Sequence, residues 1–275
     1  MKIIQQTNMN SKQMMGYAVQ ASTGEVLYID GGFSGNGDEV KRIINKLGGH
    51  VDLWLITHPH CDHHNAIMEV LENPENITYD KIGASQVDDN WIGLEKIRDA
   101  EEVREWNAFA QKNLAEKYFD VKKGQVFNLG SMKVEVLAEK NPEILENPIN
   151  NQSAVFRITE DDFTFLVLGD LGVEAGEKLM NTGIDLKADA VQMAHHGQQG
   201  VTEEFYQKVQ PKYCFWATPD WLWYNYNYLG NGEAFKGPFK TQETAEWMKK
   251  MNTVNILNFE HTVVFDSVTK EVSEF

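Results

Sequence analysis

Apolar residues recur along this chain in short runs, and the period of each run predicts the element that carries it. In QMMGYAVQASTGEVLYIDGG, residues 13–32, apolar stretches centred on residues 17–20 and 26–30 flank the turn Ser22, Thr23, Gly24, a pattern that predicts two strands. Residues 38–47 place Val40, Ile43, Ile44 and Leu47 at helical spacing, and Gly48 and Gly49 end that helix. The run VDLWLI, residues 51–56, is a third strand. Residues 69–119 read as helical, with a break at 72–76 where proline and asparagine intervene.

The second half opens with strands at 125–127 and 132–137 about the turn at Gly130, then a polar loop, EKNPEILENPINNQ. Residues 153–159 and 163–168 predict a hairpin, and FTFLVL is apolar enough for burial on both faces. That strand runs directly into Gly169 and Asp170. A helix at 174–181 and a short strand at 190–194 follow, the latter running into His195, His196 and Gly197. Without repeats, low-complexity segments or a long linker, residues 1–275 read as a single domain of mixed, layered α/β type.

Composition narrows the classes. A chain of 275 residues with 42% hydrophobic content builds a sizeable core. No run approaches the roughly 18 apolar residues of a membrane span, and MKIIQQTNMN lacks a signal-peptide core. The expectation is a soluble, cytoplasmic protein with no membrane partner, or a secreted one if a leader precedes this sequence. Two cysteines, Cys61 and Cys214, are too few for a disulfide scaffold. The excess of 41 acidic over 25 basic residues gives a net charge of −16, which repels polyanions and disfavours nucleic acid as partner or substrate. A small-molecule substrate is expected, and the oligomeric state is left open.

Five of the eight histidines, His58, His60, His63, His195 and His196, fall in two clusters that each directly follow a predicted strand. Imidazole and carboxylate at close spacing suit zinc or a comparable divalent ion. In an extended loop, His58 and His60 of THPHCDHHNA project to one side and can share an ion, while Asp62 and His63 follow where a turn could aim them at a second. Asp170 ends a buried strand with no basic residue near it in sequence, a costly place for a carboxylate unless it bridges cations. The ordinary alternative for Asp170 is a helix N-cap. For single histidines it is a satisfied core or surface residue, and for His261 a surface residue is expected. Cys61, between the ligands, is expected to point away from them.

HPHCDH at 58–63 resembles the HxHxDH signature of the metallo-β-lactamase fold superfamily. NNQSAVFRI, LVLGDL and MAHHGQ resemble, in order, the N-x-S, G-D and HHG elements of its hydrolase branch related to the extracellular domain of the DNA-uptake competence protein. The resemblance runs from Gly16 to about Pro211. It implies a four-layer αβ/βα sandwich of two mixed sheets with a two-metal site at one edge. His58 and His60 would hold one ion, Asp62 and His63 the other, and Asp170 would bridge; His196, before the glycine, would be the last ligand and His195 would stand near the leaving group. Many members carry one more histidine between the first motif and the aspartate, whereas none occurs here between Ala66 and Ala194. Asn151 and Ser153 occupy that place and are candidates for substrate contact, and the first ion would be under-coordinated or completed by water.

Such a site makes water a nucleophile while polarising the bond it attacks. The expected activity is hydrolysis, with Asp62 orienting or deprotonating the water and His195 serving the leaving group or a phosphate oxygen. One or two zinc ions are expected, with manganese as the alternative. A small phosphoester leads as substrate; carboxyl-ester, lactone or amide hydrolysis is the alternative, and a non-catalytic metal-binding scaffold is the rival from another class. FWATPDWLWYNYNYLG carries an unusual density of rings. Core packing is the plain reading; the functional one makes Trp221 and Trp223 a wall able to hold a choline-like cation.

Overall fold

Successive residues of a strand face opposite ways, so strands buried on both sides feed two cores at once. In the computed structural model, which describes residues 1–8, 12–94, 100–226 and 232–275, this alternation builds the three main cores. The first half contains β1 (Lys2–Gln5), β2 (Gly16–Gln20), β3 (Val26–Asp30), α1 (Gly37–Lys46), β4 (His50–Ile56), α2 (Cys61–Glu72), β5 (Thr78–Ala84), α3 (Asp89–Ile92), α4 (Ala100–Asn113) and β6 (Tyr118–Asp120). The second half contains β7 (Val126–Leu129), β8 (Met132–Ala138), β9 (Val155–Glu160), β10 (Phe163–Val167), α5 (Val173–Asn181), β11 (Ala190–Gln192), α6 (Glu203–Val209), β12 (Tyr213–Phe215), α7 (Asp220–Trp223), α8 (Thr241–Lys250), β13 (Val254–Ile256), β14 (Val263–Asp266) and β15 (Val272–Glu274).

The strands form an eight-stranded sheet, ordered β15-β14-β1-β2-β3-β4-β5-β6, and a seven-stranded sheet, ordered β13-β12-β11-β10-β9-β8-β7. Each is mixed: β3 to β6 run parallel, as do β10 to β13, and the other pairs are antiparallel. Leu27, Ile29, Leu53 and Leu55 of the first sheet meet Phe156, Phe165, Val167 and Phe215 of the second in a central core. The intervening Tyr28, Trp54 and Ile56 point the other way, onto Ile43, Ile67 and Trp106 of α1, α2 and α4. Likewise Leu166 and Val191 pack outward on Leu179, Phe205 and Met248 of α5, α6 and α8. The result is the four-layer αβ/βα sandwich. Each fully buried ring in the middle layer, such as Phe165 with its centroid 5.2 Å from that of Phe215, contributes about 1.5–3 kcal/mol through burial.

Two expectations need correction. The span 69–119 is not helical throughout: it contains β5 and β6, with β5 paired to β4 so that Leu53 sits opposite Lys81 and Leu55 opposite Gly83. Only the inner end of TYDKIGA, from Ile82 to Ala84, is buried, so the polar outer half masks the strand signal. The histidine cluster is also only partly loop, because α2 begins at Cys61 and places Asp62 and His63 on its first turn. Among the described residues, no helix is long and apolar enough to cross a membrane.

Candidate metal centre

Ligand-bearing side chains gather where β3, β4, β10 and β11 end. Asp30, the last residue of β3, is buried, and it accepts hydrogen bonds from the Thr57 amide (2.8 Å), the Thr57 hydroxyl (2.8 Å) and His63 Nδ1 (2.7 Å). With Nδ1 committed, the lone pair on His63 Nε2 faces the remaining carboxylates. Burial raises the Asp30 carboxyl above its ordinary range, opposed by His63 and Thr57.

The first turn of α2 supplies Asp62 and His63, an acid where unpaired helix amides favour one. Glu102 of α4 accepts the Cys61 amide at 2.8 Å. One Asp62 oxygen lies 3.2 Å from His196 Nε2 and the other 3.8 Å from His63 Nε2.

Asp170 sits on the turn after β10. Its amide donates to Ser153 Oγ at 3.0 Å, and Gln192 clasps the same turn, accepting from the Leu168 amide (2.8 Å) and donating to the Gly169 carbonyl (3.0 Å). Gly169 has φ +57°, and a Cβ there would lie 2.7 Å from Thr57 Cβ, so no side chain fits between the two strand ends. The turn thereby delivers one Asp170 oxygen to 3.4 Å from His63 Nε2 and the other to 3.3 Å from His196 Nε2.

His195 and His196 both have left-handed backbone, with φ 50° and 53°. Two consecutive non-glycine residues in that region store about 1–3 kcal/mol each, a strain characteristic of sites where side-chain direction matters. Their paths diverge. His196 is buried and donates from Nδ1 to the Ala217 carbonyl at 2.8 Å, which leaves Nε2 as the ligand atom. His195 stays 16% exposed on the cleft wall, with Nε2 3.9 Å from Asp170.

Two sets of ligand atoms converge to within 4.8 Å of one another: His58, His63 and Asp170, and Asp62, His63 and His196. His60 Nδ1 lies 3.0 Å from His58 Nε2, at the edge of the first set. The residues fit a divalent ion. His63 Nε2, His196 Nε2 and Asp170 Oδ1 are buried, yet they make no hydrogen bond of good geometry among the described residues. Buried polar atoms ordinarily find partners, and an ion bound by these imidazoles and carboxylates would be one. Without an ion the cluster behaves as ion pairs. Burial would raise Asp62, but His63 and His196 hold it at about 2. Burial would lower His196, but Asp170 and Asp62 lift it to about 9. For His58, burial and then the neighbouring His63 and His60 push the imidazole well below its ordinary value.

A third grouping, His50, Asp52 and Asp80, lies at the opposite end of β4; His50 and Asp52 are half-buried and Asp80 is exposed. His261 is exposed beside Glu260 and Glu274.

The cleft above the ligands has a volume of about 400 Å³, and His60, Asp62, Asp170 and His195 line it together with Lys12, Gln13, Phe33, Cys61, Glu102 and Asn150. Cys61 belongs to this wall and to neither ligand set. Asn151 and Ser153 face inward: Asn151 Oδ1 accepts from the amides of Gly172 (3.1 Å) and Ala175 (3.3 Å), and Ser153 braces Asp170. Trp221 packs edge-on to Phe239 at 5.4 Å and Trp223 edge-on to Trp216 at 4.9 Å; neither is in the cleft lining. Tyr228 of the aromatic segment lies outside the described residues. Sequence reasoning passed over Asp30, Thr57, Glu102, Asn150 and Gln192. Asp30 carried a usable signal, since VLYID ends an apolar strand in an acid just as LVLGD does.

No family model matches the chain. Over 94 residues it is 34% identical to ComE operon protein 3 of Bacillus subtilis, a stretch that is 34% of this chain and 12% of that protein. The metallo-β-lactamase fold protein YhfI of Bacillus subtilis superposes with a TM-score of 0.58 at 13% identity, covering 96% of this chain and 99% of its own. A mutant of CmlA beta-hydroxylase superposes with a TM-score of 0.61 at 12% identity, covering 95% of this chain and 53% of its own. By its sandwich and by these superpositions, the chain has the metallo-β-lactamase fold, with a sequence likeness to the competence protein over about a third of its length.

Proposed function

We propose that this protein is a metal-dependent hydrolase whose substrate is a small phosphoester, most simply a phosphodiester. The observation that carries the reading is the approach of the two Asp170 oxygens to two different buried imidazoles, His63 and His196, beneath an open cleft. Divalent ions held there would supply Lewis acidity and a more acidic water, with zinc the expected ion and manganese the alternative. Asp62, at the cleft wall between His63 and His196, would orient the attacking water and take its proton. His195, on the same wall, would meet the leaving group or a phosphoryl oxygen. Lys12, stacked 4.0 Å over the Phe33 ring, brings positive charge to a cleft otherwise rich in carboxylates and suits an anionic substrate. The net charge of −16 favours a small phosphoester over a polymeric nucleic acid.

The fold alone does not select the reaction, since a beta-hydroxylase shares it. A substrate panel does. With zinc or manganese supplied, bis-p-nitrophenyl phosphate is expected to turn over well ahead of p-nitrophenyl acetate. Turnover of the acetate alone would move the assignment to carboxyl esters, and a metal-loaded protein inert to both would favour the binding scaffold.

A further inference from the structure

In the segment NNQS, three of four side chains spend their polar atoms on the surrounding fold. Asn151 caps the start of α5 and donates to the Glu146 carbonyl, Gln152 bonds the backbone of Asn141 and Pro148, and Ser153 holds the Asp170 amide. Asn150 differs. It is 5% exposed, and it alone of the four lines the cleft, alongside His60, Asp62 and Asp170. Its amide nitrogen lies 2.9 Å from Asn147 Oδ1 and 3.3 Å from His195 Nε2. The other end, Oδ1, is buried and has no hydrogen-bond partner among the described residues, in company with Asp170 Oδ1, His63 Nε2 and His196 Nε2.

We propose that the carboxamide oxygen of Asn150 is the remaining protein ligand of the ion held by His58, His60 and Asp170. This rests on the metal-centre reading above and adds a residue to it. A neutral amide oxygen is a hard donor of the kind calcium, magnesium and manganese sites use. Two imidazoles, a carboxylate and an amide oxygen form a set less selective for zinc than three imidazoles and a carboxylate. Asn147 and His195 hold the side chain at the cleft that His60 and Asp170 also line.

The test is titration of the metal-free full chain with Mn²⁺, followed by electron paramagnetic resonance, and separately with Zn²⁺. The binding event loosened by His60→Ala marks the ion in question. Asn150→Leu is expected to weaken that event at least tenfold. Asn150→Asp, which keeps an oxygen and loses the amino group, is expected to bind as tightly as the wild type or more so. Asn150→His is expected to raise Zn²⁺ affinity relative to Mn²⁺. Melting of the metal-free variants at the wild-type temperature shows that the fold is intact. Unchanged binding by Asn150→Leu overturns the proposal. So does equal weakening in Asn150→Leu and Asn150→Asp, which would assign the role to the amino group. A wild-type chain that takes up neither ion overturns the metal-centre reading itself.

Discussion

Asp30 shows how much of the centre is set by a residue that touches no candidate ion. Its carboxylate fixes the His63 ring through Nδ1 and ties that ring to Thr57, the residue that leads into the ligand loop. Partners of this kind raise ligand basicity, and their loss costs about 10–100-fold in metal affinity. Asp30→Asn is therefore expected to bind metal about 10–100-fold more weakly in competition with a chromophoric chelator; wild-type affinity would show that His63 is held by packing alone. His64, next in sequence to His63, behaves oppositely. It is buried against Trp106, 5.4 Å between rings, and burial, reinforced by His63 and His60, depresses its pKa to about 3. Between the unfolded value near 6.5 and about 3, the unfolded chain carries a proton that the folded one does not. Folding stability should thus fall as pH drops through that window, by at most about 1.4 kcal/mol per pH unit. Urea melts of His64→Phe between pH 7 and 4 should show a shallower decline than the wild type, and parallel declines would contradict the assignment. The candidate ligands His58, His60, Asp62 and His63 were readable from sequence because HPHCDH compresses them into six residues. Asn150 was not, because an isolated amide has no spacing to read, and Asp30 offered only the acid that ends its apolar strand.

Elements, and above all the turns that end them, set the distances between those residues. The turn at Gly169 passes between Thr57 and Ser153 with no room for a Cβ. Gly169→Ala adds both that clash and an unfavourable left-handed conformation, so a loss of about 1–3 kcal/mol in stability is expected by denaturant unfolding, with weaker metal binding. Unaltered stability would mean that the turn relaxes freely. At Gly197, φ +78°, a Cβ would lie 2.3 Å from the Trp216 ring, so the aromatic segment acts here as the floor beneath the HHG turn. Strands buried on both faces, such as VLYID and FTFLVL, were legible as apolar runs. β5 was not, since most of its length is exposed, and neither were the three- and four-residue strands β1, β12, β13, β14 and β15, whose stability comes from neighbours distant in sequence.

Across the whole molecule, the two sheets face each other through one shared core and bring four strand ends to one edge. The sandwich was inferred from motif resemblance, whereas the strand order was not: β14 pairs with β1 across about the full length of the chain, a contact that no local pattern encodes. The central claim is that the buried carboxylates and imidazoles at this edge hold metal for hydrolysis. Its most direct test is metal content measured together with hydrolysis of bis-p-nitrophenyl phosphate, for the wild type and for Asp170→Asn. Bound metal and turnover are expected in the wild type, and loss of turnover with reduced metal content in the variant. A wild-type protein that takes up no metal, or an Asp170→Asn variant that turns over at the wild-type rate, would contradict it.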